Sequence, residues 1–361
     1  MKYIDEFRDK EIVKGLISAI NASARAKINL MEVCGTHTMA IFRSGIKQIL
    51  PSSIDLISGP GCPVCVTSQS DIDRMLSLAR NKDIVITTFG DMLKVPGTKG
   101  SLEKENAGGA DIRIVYSPLD ALAIAGREPR KEVVFLAVGF ETTAPVIASV
   151  VSDAAQKKIG NFSIYSCHKT IPPAMKALLE AQELQIDGFL CPGHVTSIIG
   201  SRAYDFIAAD YGIPCVVSGF EPTDILETVL MLIRQKEKNR ACVEVQYARA
   251  VRRQGNVKAQ EMMDRVFEPA DADWRGLGSI PQSGLRLRKE YGSFDAAVKF
   301  RIPSFKTTEP RGCICGDVLR GVKTPQQCRL FAKACTPENP FGPCMVSSEG
   351  TCAAWFKYNR D

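Results

Sequence analysis

The sequence predicts an α/β protein: two parallel-sheet α/β domains facing across a cleft, followed by a smaller, mainly helical domain at the carboxyl end. Three observations predict it. Short β-rich apolar runs alternate with helical patterns from about residue 54 to residue 235, an alternation that makes the helices crossovers between parallel strands. The length of 361 residues exceeds what one ordinary core serves. From about residue 241 the pattern loosens, and six of the thirteen cysteines fall in the last forty-nine residues.

The elements follow in order. Ile12, Leu16, Ile17 and Ile20 lie at helical spacing within residues 5–24, so a helix leads the chain, and the segment 1–30 is expected to pack with the C-terminal domain. IDLIS at 54–58, DIVITTF at 83–89 and IRIVYS at 112–117 read as strands, with the helical DIDRMLSLARN between the first two; together they make a first domain over 31–128. VVFLAVG at 133–139, FSIYSC at 162–167, GFLC at 188–191 and IPCVVSG at 213–219 are the strands of a second domain over 129–240, with PPAMKALLEAQ and TDILETVLMLIRQ as helices. The join falls in GREPRKE at 126–132. The halves also match locally. IDLISGPGCPV at 54–64 aligns with IDGFLCPGHV at 186–195 once one residue is skipped, and GFETTAP at 139–145 resembles GFEPTD at 219–224. A duplication would set two Rossmann-like units about a pseudo-twofold axis, with the loops at their strand ends sharing one cleft. The remainder, 241–361, is a third domain, helical through CVEVQYARAVRRQGNVKAQEMMDRVFE and then looser. Its few apolar residues suit a metal staple, because so short a segment buries little.

Composition excludes several function classes. The net charge of +6 is modest, and no basic run is interleaved with aromatics as a nucleic-acid surface requires. The first ten residues are charged and no later stretch offers about eighteen apolar residues in a row, so the expectation is a cytoplasmic protein without a membrane span. In that compartment thiols stay reduced, so thirteen cysteines serve metal or redox chemistry or fill the core.

Five motifs carry that chemistry. In CGTHT, Cys34 and His37 stand one helical turn apart, bringing a soft sulfur and an imidazole within reach of one metal; a buried Cys beside a capping Thr is the plainer account. In GPGCPVC, Cys62 and Cys65 form a Cys-x-x-Cys pair between a strand and a helix near Ser68. The helix amino terminus there favours a thiolate, with Cys62 the more exposed and nucleophilic member. No second Cys-x-x-Cys completes a zinc site. CPGHV supplies His194, and each of the three histidines, His37, His168 and His194, lies within three residues of a cysteine. Glu141 in GFETTAP and Asp91 in FGDMLKVPG end strands facing the cleft, where an acid takes protons, orients a histidine or caps the next helix.

The tail cysteines are Cys313, Cys315, Cys328, Cys335, Cys344 and Cys352, with gaps of one, twelve, six, eight and seven residues. A zinc or [4Fe-4S] centre takes four thiolates, so six leave two over for a redox pair. Cys313 and Cys315 stand only two residues apart, and the expectation is that one of them ligates while the other points elsewhere.

Taken together, CGTHT, GPGCPVC, FGDMLKVPG, GFETTAP, CPGHV and the tail CICGDVLRG…PQQCRLFAKACTPENPFGPCMVSSEGTCAAW resemble the HypD family of [NiFe]-hydrogenase maturation proteins over nearly the whole chain. The resemblance implies a scaffold on which the Fe(CN)2CO group of the hydrogenase is built, acting with a HypC-type small chaperone and a HypE-type cyanide donor. The finished group then passes to the hydrogenase large subunit. It further implies Cys34 as the iron ligand and Cys62 with Cys65 as the adjacent dithiol. In the tail it makes Cys313, Cys328, Cys335 and Cys352 the [4Fe-4S] ligands, and Cys315 with Cys344 the redox pair beside them. That last arrangement is similar to ferredoxin:thioredoxin reductase, and a stand-alone protein disulfide reductase of that type is the rival expectation. An exposed partner site suggests a monomer that forms hetero-complexes.

Overall fold

The structure, a computed structural model, describes residue 7, residues 9–303, residue 305 and residues 307–358. Its strands are β1 (Ile28–Glu32), β2 (Ile54–Ser58), β3 (Ile84–Thr88), β4 (Ile112–Ile114), β5 (Glu132–Ala137), β6 (Phe162–Ser166), β7 (Gly188–Pro192), β8 (Cys215–Ser218), β9 (Val243–Val245), β10 (Phe267–Trp274) and β11 (Gly278–Leu287). Two parallel sheets result, a five-stranded one in the order β2-β1-β7-β8-β9 and a four-stranded one in the order β4-β3-β5-β6, while β10 and β11 form an antiparallel hairpin. In each sheet the second strand to form lies on one side of the first and all later strands on the other. Each sheet therefore has a switch point, between β1 and β7 and between β3 and β5, where a crevice opens beyond the carboxyl ends of the strands.

Strand alternation builds three cores. In β5, Val134 and Leu136 face a central core shared by both sheets, while Val133, Phe135 and Ala137 face an outer core under the helices Pro118–Arg127 and Ala144–Gln156. In β7, Phe189 and Cys191 likewise face the shared core and Leu190 faces a second outer core. Burial on both faces explains why these strands read as continuous apolar runs.

Several expectations are corrected. The join at 126–132 does not separate the sheets, because β3 and β4 pair with β5 and β6, whereas β1 and β2 pair with β7, β8 and β9. The chain starts in one sheet, builds the other, and returns. The local matches are not a twofold repeat either: IDLISGPGCPV ends β2 and IDGFLCPGHV forms β7, which flank β1 in one sheet. The leading helix, Lys10–Ser23, packs on the helix Pro222–Glu237 rather than on the C-terminal part, burying Ile20 with Val13, Leu16 and Ile17 alongside while Ile12 is exposed. Residues 241–361 carry strands as well as helices. β9 joins the five-stranded sheet, helix is confined to Val257–Val266 within the long apolar-periodic stretch, and the hairpin follows. Between its buried ends, FEPADADW alternates half-buried and exposed positions, a period-two pattern that its Pro and Asp residues mask. β1 escapes a reading by apolar runs because INLME carries Asn29 and Glu32, yet it is central to its sheet. Among the described residues, no helix is long and apolar enough to cross a membrane.

Candidate metal and dithiol site

The site begins where β1 turns into the helix Gly35–Arg43. Cys34 is the N-cap residue of that helix in extended conformation. Its N–H donates to Oε2 of Glu32 at 2.9 Å, and the Thr38 hydroxyl donates to Oε1 of the same carboxyl. Glu32 is almost fully buried, so desolvation lifts its carboxyl from 4.5 to about 8 despite these donors. The loop after β2 closes on this turn. Gly35 N–H donates to Gly61 O at 2.9 Å, and a Cβ at Gly61 would overlap the backbone nitrogen of Cys34, so only glycine permits the approach.

Burial pushes the Cys34 thiol up to about 12, with the Glu349 and Glu32 carboxyls adding to the effect and the His37 and Thr36 amides opposing it. Cys34 is thus a protonated thiol at neutral pH until a cation replaces the proton. His37, one turn on, donates from Nε2 to Gly219 O at 2.9 Å. A carbonyl only accepts, so the proton sits on Nε2 and Nδ1 is left as a buried lone pair with no partner. Desolvation lowers its pKa to about 4, keeping the ring neutral. Phe220, in the loop after β8, stacks on both His37 (4.6 Å between centroids) and His194 (3.9 Å). His194 lies on the helix Gly193–Ile199 that follows β7, and burial lowers its pKa.

A cavity of 500 Å³ spans both switch points. The five-stranded sheet contributes Cys34, Thr36, Gly61 and His194; the four-stranded sheet contributes Phe89, Asp91, Phe140 and Thr142. Ser347 and Glu349 of the tail complete the wall, Glu349 accepting from the Thr36 hydroxyl at 2.7 Å and Ser347 donating to Asp91 at 3.1 Å. The tail reaches this place because its last helix, Thr351–Tyr358, packs on Gly35–Arg43 with Trp355 against Phe42.

Cys62 caps a one-turn helix, Pro63–Val66, that contains Cys65 and is separate from the helix Gln69–Ala79 that Ser68 caps. Their sulfurs are 2.7 Å apart, and the Cys62 sulfur accepts the Cys65 N–H at 3.3 Å. Cys62 is not the exposed member of the pair: both are buried, because Pro343–Met345 of the tail packs over the turn. The Cys65 thiol is within hydrogen-bonding reach of Cys344, and burial raises its pKa. Cys344 in turn lies 2.9 Å from Cys315. Both sulfur pairs exceed the covalent S–S length of about 2.05 Å, and all thirteen cysteines are free thiols.

All six tail cysteines line one small cavity. Cys315 and Cys344 form its buried inner side, facing Cys65, whereas Cys313, Cys328 and Cys352 are half-buried on its outer side. Cys335 is buried, and its sulfur accepts the Phe341 N–H at 3.3 Å. Among the described residues, no three His, Cys, Asp or Glu side chains converge to hold a single ion. A cubane cluster takes its four thiolates at four separate irons, so ligands that ring a cavity, one already receiving an amide donor, suit a cluster better than an ion.

The remaining sequence candidates lie elsewhere. Glu141 does not line the cavity; its Oε1 accepts the Ile171 N–H at 2.9 Å, capping the helix Ile171–Ala181, and its Oε2 is buried without a partner. Desolvation raises its pKa to about 7. His168 is buried at the end of β6 beside Ser166 and Phe267, away from Cys34. Cys191 is buried within hydrogen-bonding reach of Cys215, inside the sheet. Sequence reasoning missed Glu32, Phe220, Ser347 and Glu349. Phe220 left a signal as part of the GFEPTD match, and Ser347 and Glu349 stand inside the tail motif CMVSSEGTCAAW; a buried acid two residues before a flagged Cys has no spacing signature.

Comparison with known proteins agrees in extent. The model of the HypD family, described as a hydrogenase formation hypA family, matches residues 11–359. Hydrogenase maturation factor HypD2 of Bradyrhizobium diazoefficiens is 48% identical over 370 residues, covering 100% of this chain and 97% of that protein. Hydrogenase maturation factor HypD of Cupriavidus necator is 47% identical, covering 100% and 98%. HypD of Escherichia coli is 45% identical, covering 100% and 99%.

Proposed function

The chain belongs to the HypD family of hydrogenase maturation factors, and from that premise we propose that it is the scaffold on which an Fe(CN)2CO group is assembled for a [NiFe] hydrogenase. The observation that carries this reading is the placement of Cys34 in a cavity common to both switch points, with two further dithiols stacked behind it. Cys34 is the thiolate donor to the iron cargo. Its raised pKa makes binding and proton release one event, so the thiol stays unreactive when empty. His194, in the cavity wall, is the nitrogen candidate beside that cargo, whereas His37, one helical turn from Cys34 and with a bare Nδ1, is buried behind the wall. Phe89 and Phe140 give the cavity an apolar side against the growing group. A HypC-type chaperone and a HypE-type cyanide donor meet the protein at this cavity, and the finished group passes to the hydrogenase large subunit.

Cys313, Cys328, Cys335 and Cys352 hold a [4Fe-4S] cluster. When bound it supplies electrons one at a time. The thiols then pass reducing equivalents inward by exchange: Cys344 attacks the Cys65 sulfur of a Cys62–Cys65 disulfide, releasing Cys62 as thiolate, and Cys315 attacks Cys344 to release Cys65. Two electrons move to the inner pair and the Cys315–Cys344 disulfide remains. The contact between Cys344 and Cys65 supports that order. A stand-alone reductase of protein disulfides fits less well, since Cys62 is only 4% exposed and a protein substrate has no access to it.

The test is Cys34→Ala, purified anaerobically with its small partner. Loss of the cyanide and carbonyl infrared bands is expected; bands at undiminished intensity would sink the assignment.

A further inference from the structure

We propose that the loops 310–313 and 328–335 form a docking surface for an acidic one-electron carrier protein, which delivers electrons to the tail. The inference rests on the reading that the tail thiols hold a cluster.

Charge is concentrated there. Residues 310–341 hold five basic and two acidic side chains, a surplus equal to half of the +6 carried by the whole chain. Arg320 and Lys323 are neutralised by Asp317, at 2.9 and 2.8 Å, and Arg320 also pairs with Glu183. The other three, Arg311, Arg329 and Lys333, are exposed, and among the described residues they make no ion pair. Each stands within two residues of a thiol of the six-cysteine cavity: Arg311 of Cys313, Arg329 of Cys328, Lys333 of Cys335.

The two loops that carry them touch. The Cys328 thiol reaches Gly312 O at 3.8 Å, Phe331 N–H bonds Cys328 O at 3.1 Å, and Phe331 bridges Cys335. Half-buried Leu330 and Phe331 lie between the cations, giving a small apolar centre inside a positive rim. The cavity is also polarised: its half-buried thiols face this rim, and its buried pair faces Cys65. Electrons that leave on the inside must enter on the outside. Each docking oxidises one carrier molecule and passes one electron to the tail, and two such electrons with two protons reduce a Cys315–Cys344 disulfide to two thiols. A transient redox encounter needs only a small interface, and opposite charge raises its on-rate in a salt-dependent way.

The experiment uses the full chain with its cluster, chemically reduced plant-type [2Fe-2S] ferredoxin as the acidic carrier, and reduced methyl viologen as a small cationic reductant. Stopped-flow bleaching of cluster absorbance gives the second-order rate, and calorimetry with oxidised ferredoxin gives affinity. The triple variant R311E/R329E/K333E is expected to lose about tenfold or more in rate with ferredoxin at low salt, together with the salt dependence and the calorimetric binding. The neutral variant R311Q/R329Q/K333Q should fall between, and the viologen rate should not drop. Equal ferredoxin rates in all three proteins would overturn the proposal. So would a parallel loss with viologen, which reports a disturbed cluster, or charge-dependent binding of an oligonucleotide with none of ferredoxin. Anaerobic protein without iron–sulfur absorbance would instead overturn the cluster reading beneath it, and the docking with it.

Discussion

In the five-stranded sheet, the loops after β1, β2, β7 and β8 bring Cys34, the Cys62–Cys65 turn, His194 and Phe220 together; in the four-stranded sheet, the loops after β3 and β5 bring only Phe89, Asp91, Phe140 and Thr142 to the same cavity. Both sheets set their second strand on one side of the first and the later strands on the other, so topology supplies the crevice twice and the thiols and the imidazole line only one of them. The four-stranded sheet serves as a wall. Each sheet also buries one carboxyl at its switch point, and the two are used differently. Glu32 spends both oxygens on the Cys34 turn, whereas Glu141 spends one on a helix terminus and leaves the other bare.

The sharpest way to break this contrast is at the glycines. A Cβ at Gly61 would overlap main-chain atoms of Val33 and Cys34, which no side-chain rotation relieves. Gly61→Ala is expected to cost roughly 3 kcal/mol or more and to abolish the infrared bands of bound cargo. At Gly139, after β5, the added Cβ would meet chiefly the Thr143 side-chain oxygen, which turns away by rotation about χ1. Gly139→Ala should therefore cost about 1 kcal/mol and keep the bands. Denaturant midpoints decide it: equal losses would mean that the two switch points are equally constrained.

Much of this was legible in the sequence, and the failures have physical causes. IDLIS, IVITT and FSIYS announce strands because burial on both faces makes them continuously apolar. GPGCPVC and CPGHV announce strand-end turns because their glycines and prolines have no place inside strands. Sheet membership was not legible. Periodicity reports that a strand is buried and never which neighbour it pairs with, so the excursion of β3 to β6 into a second sheet read as a boundary at 126–132. The covered state of Cys62 was equally invisible, since the residues that bury it, Pro343–Met345, lie some 280 positions away along the chain. Cys34, Cys62 and Cys65 are near one another because β1 and β2 are adjacent and parallel, which spacing alone does not state.

A smaller effect separates the acids by pH. Glu32 keeps its proton up to about pH 8 in the fold but loses it near 4.5 when unfolded. Its contribution to stability is whole below pH 4.5 and is lost as pH rises toward 8, at a slope of at most roughly 1.4 kcal/mol per unit. Glu32→Gln removes the titration, so protein without bound cargo should show a flatter stability profile between pH 5 and 8. Above pH 8, where Glu32 is ionised, the variant should also bind iron less well, because a single amide oxygen replaces two acceptors for the Cys34 N–H and the Thr38 hydroxyl. Parallel profiles for variant and wild type would mean that Glu32 ionises freely.

The smallest effect belongs to Glu141. Its folded value of about 7 narrows the window in which stability is lost to pH 4.5–7, and Gln retains an oxygen to accept the Ile171 N–H. The amide nitrogen would occupy the place of Oε2, which has no partner now, so one unmet group replaces another. Glu141→Gln is expected within about 1 kcal/mol of wild type at pH 7, with the slope below pH 7 reduced and the infrared bands of the cargo intact. Bands lost as fully as in Cys34→Ala would make Glu141 a participant in the chemistry, reached through its bare oxygen, and would end the distinction between an acid that fixes the reactive turn and one that fixes a helix.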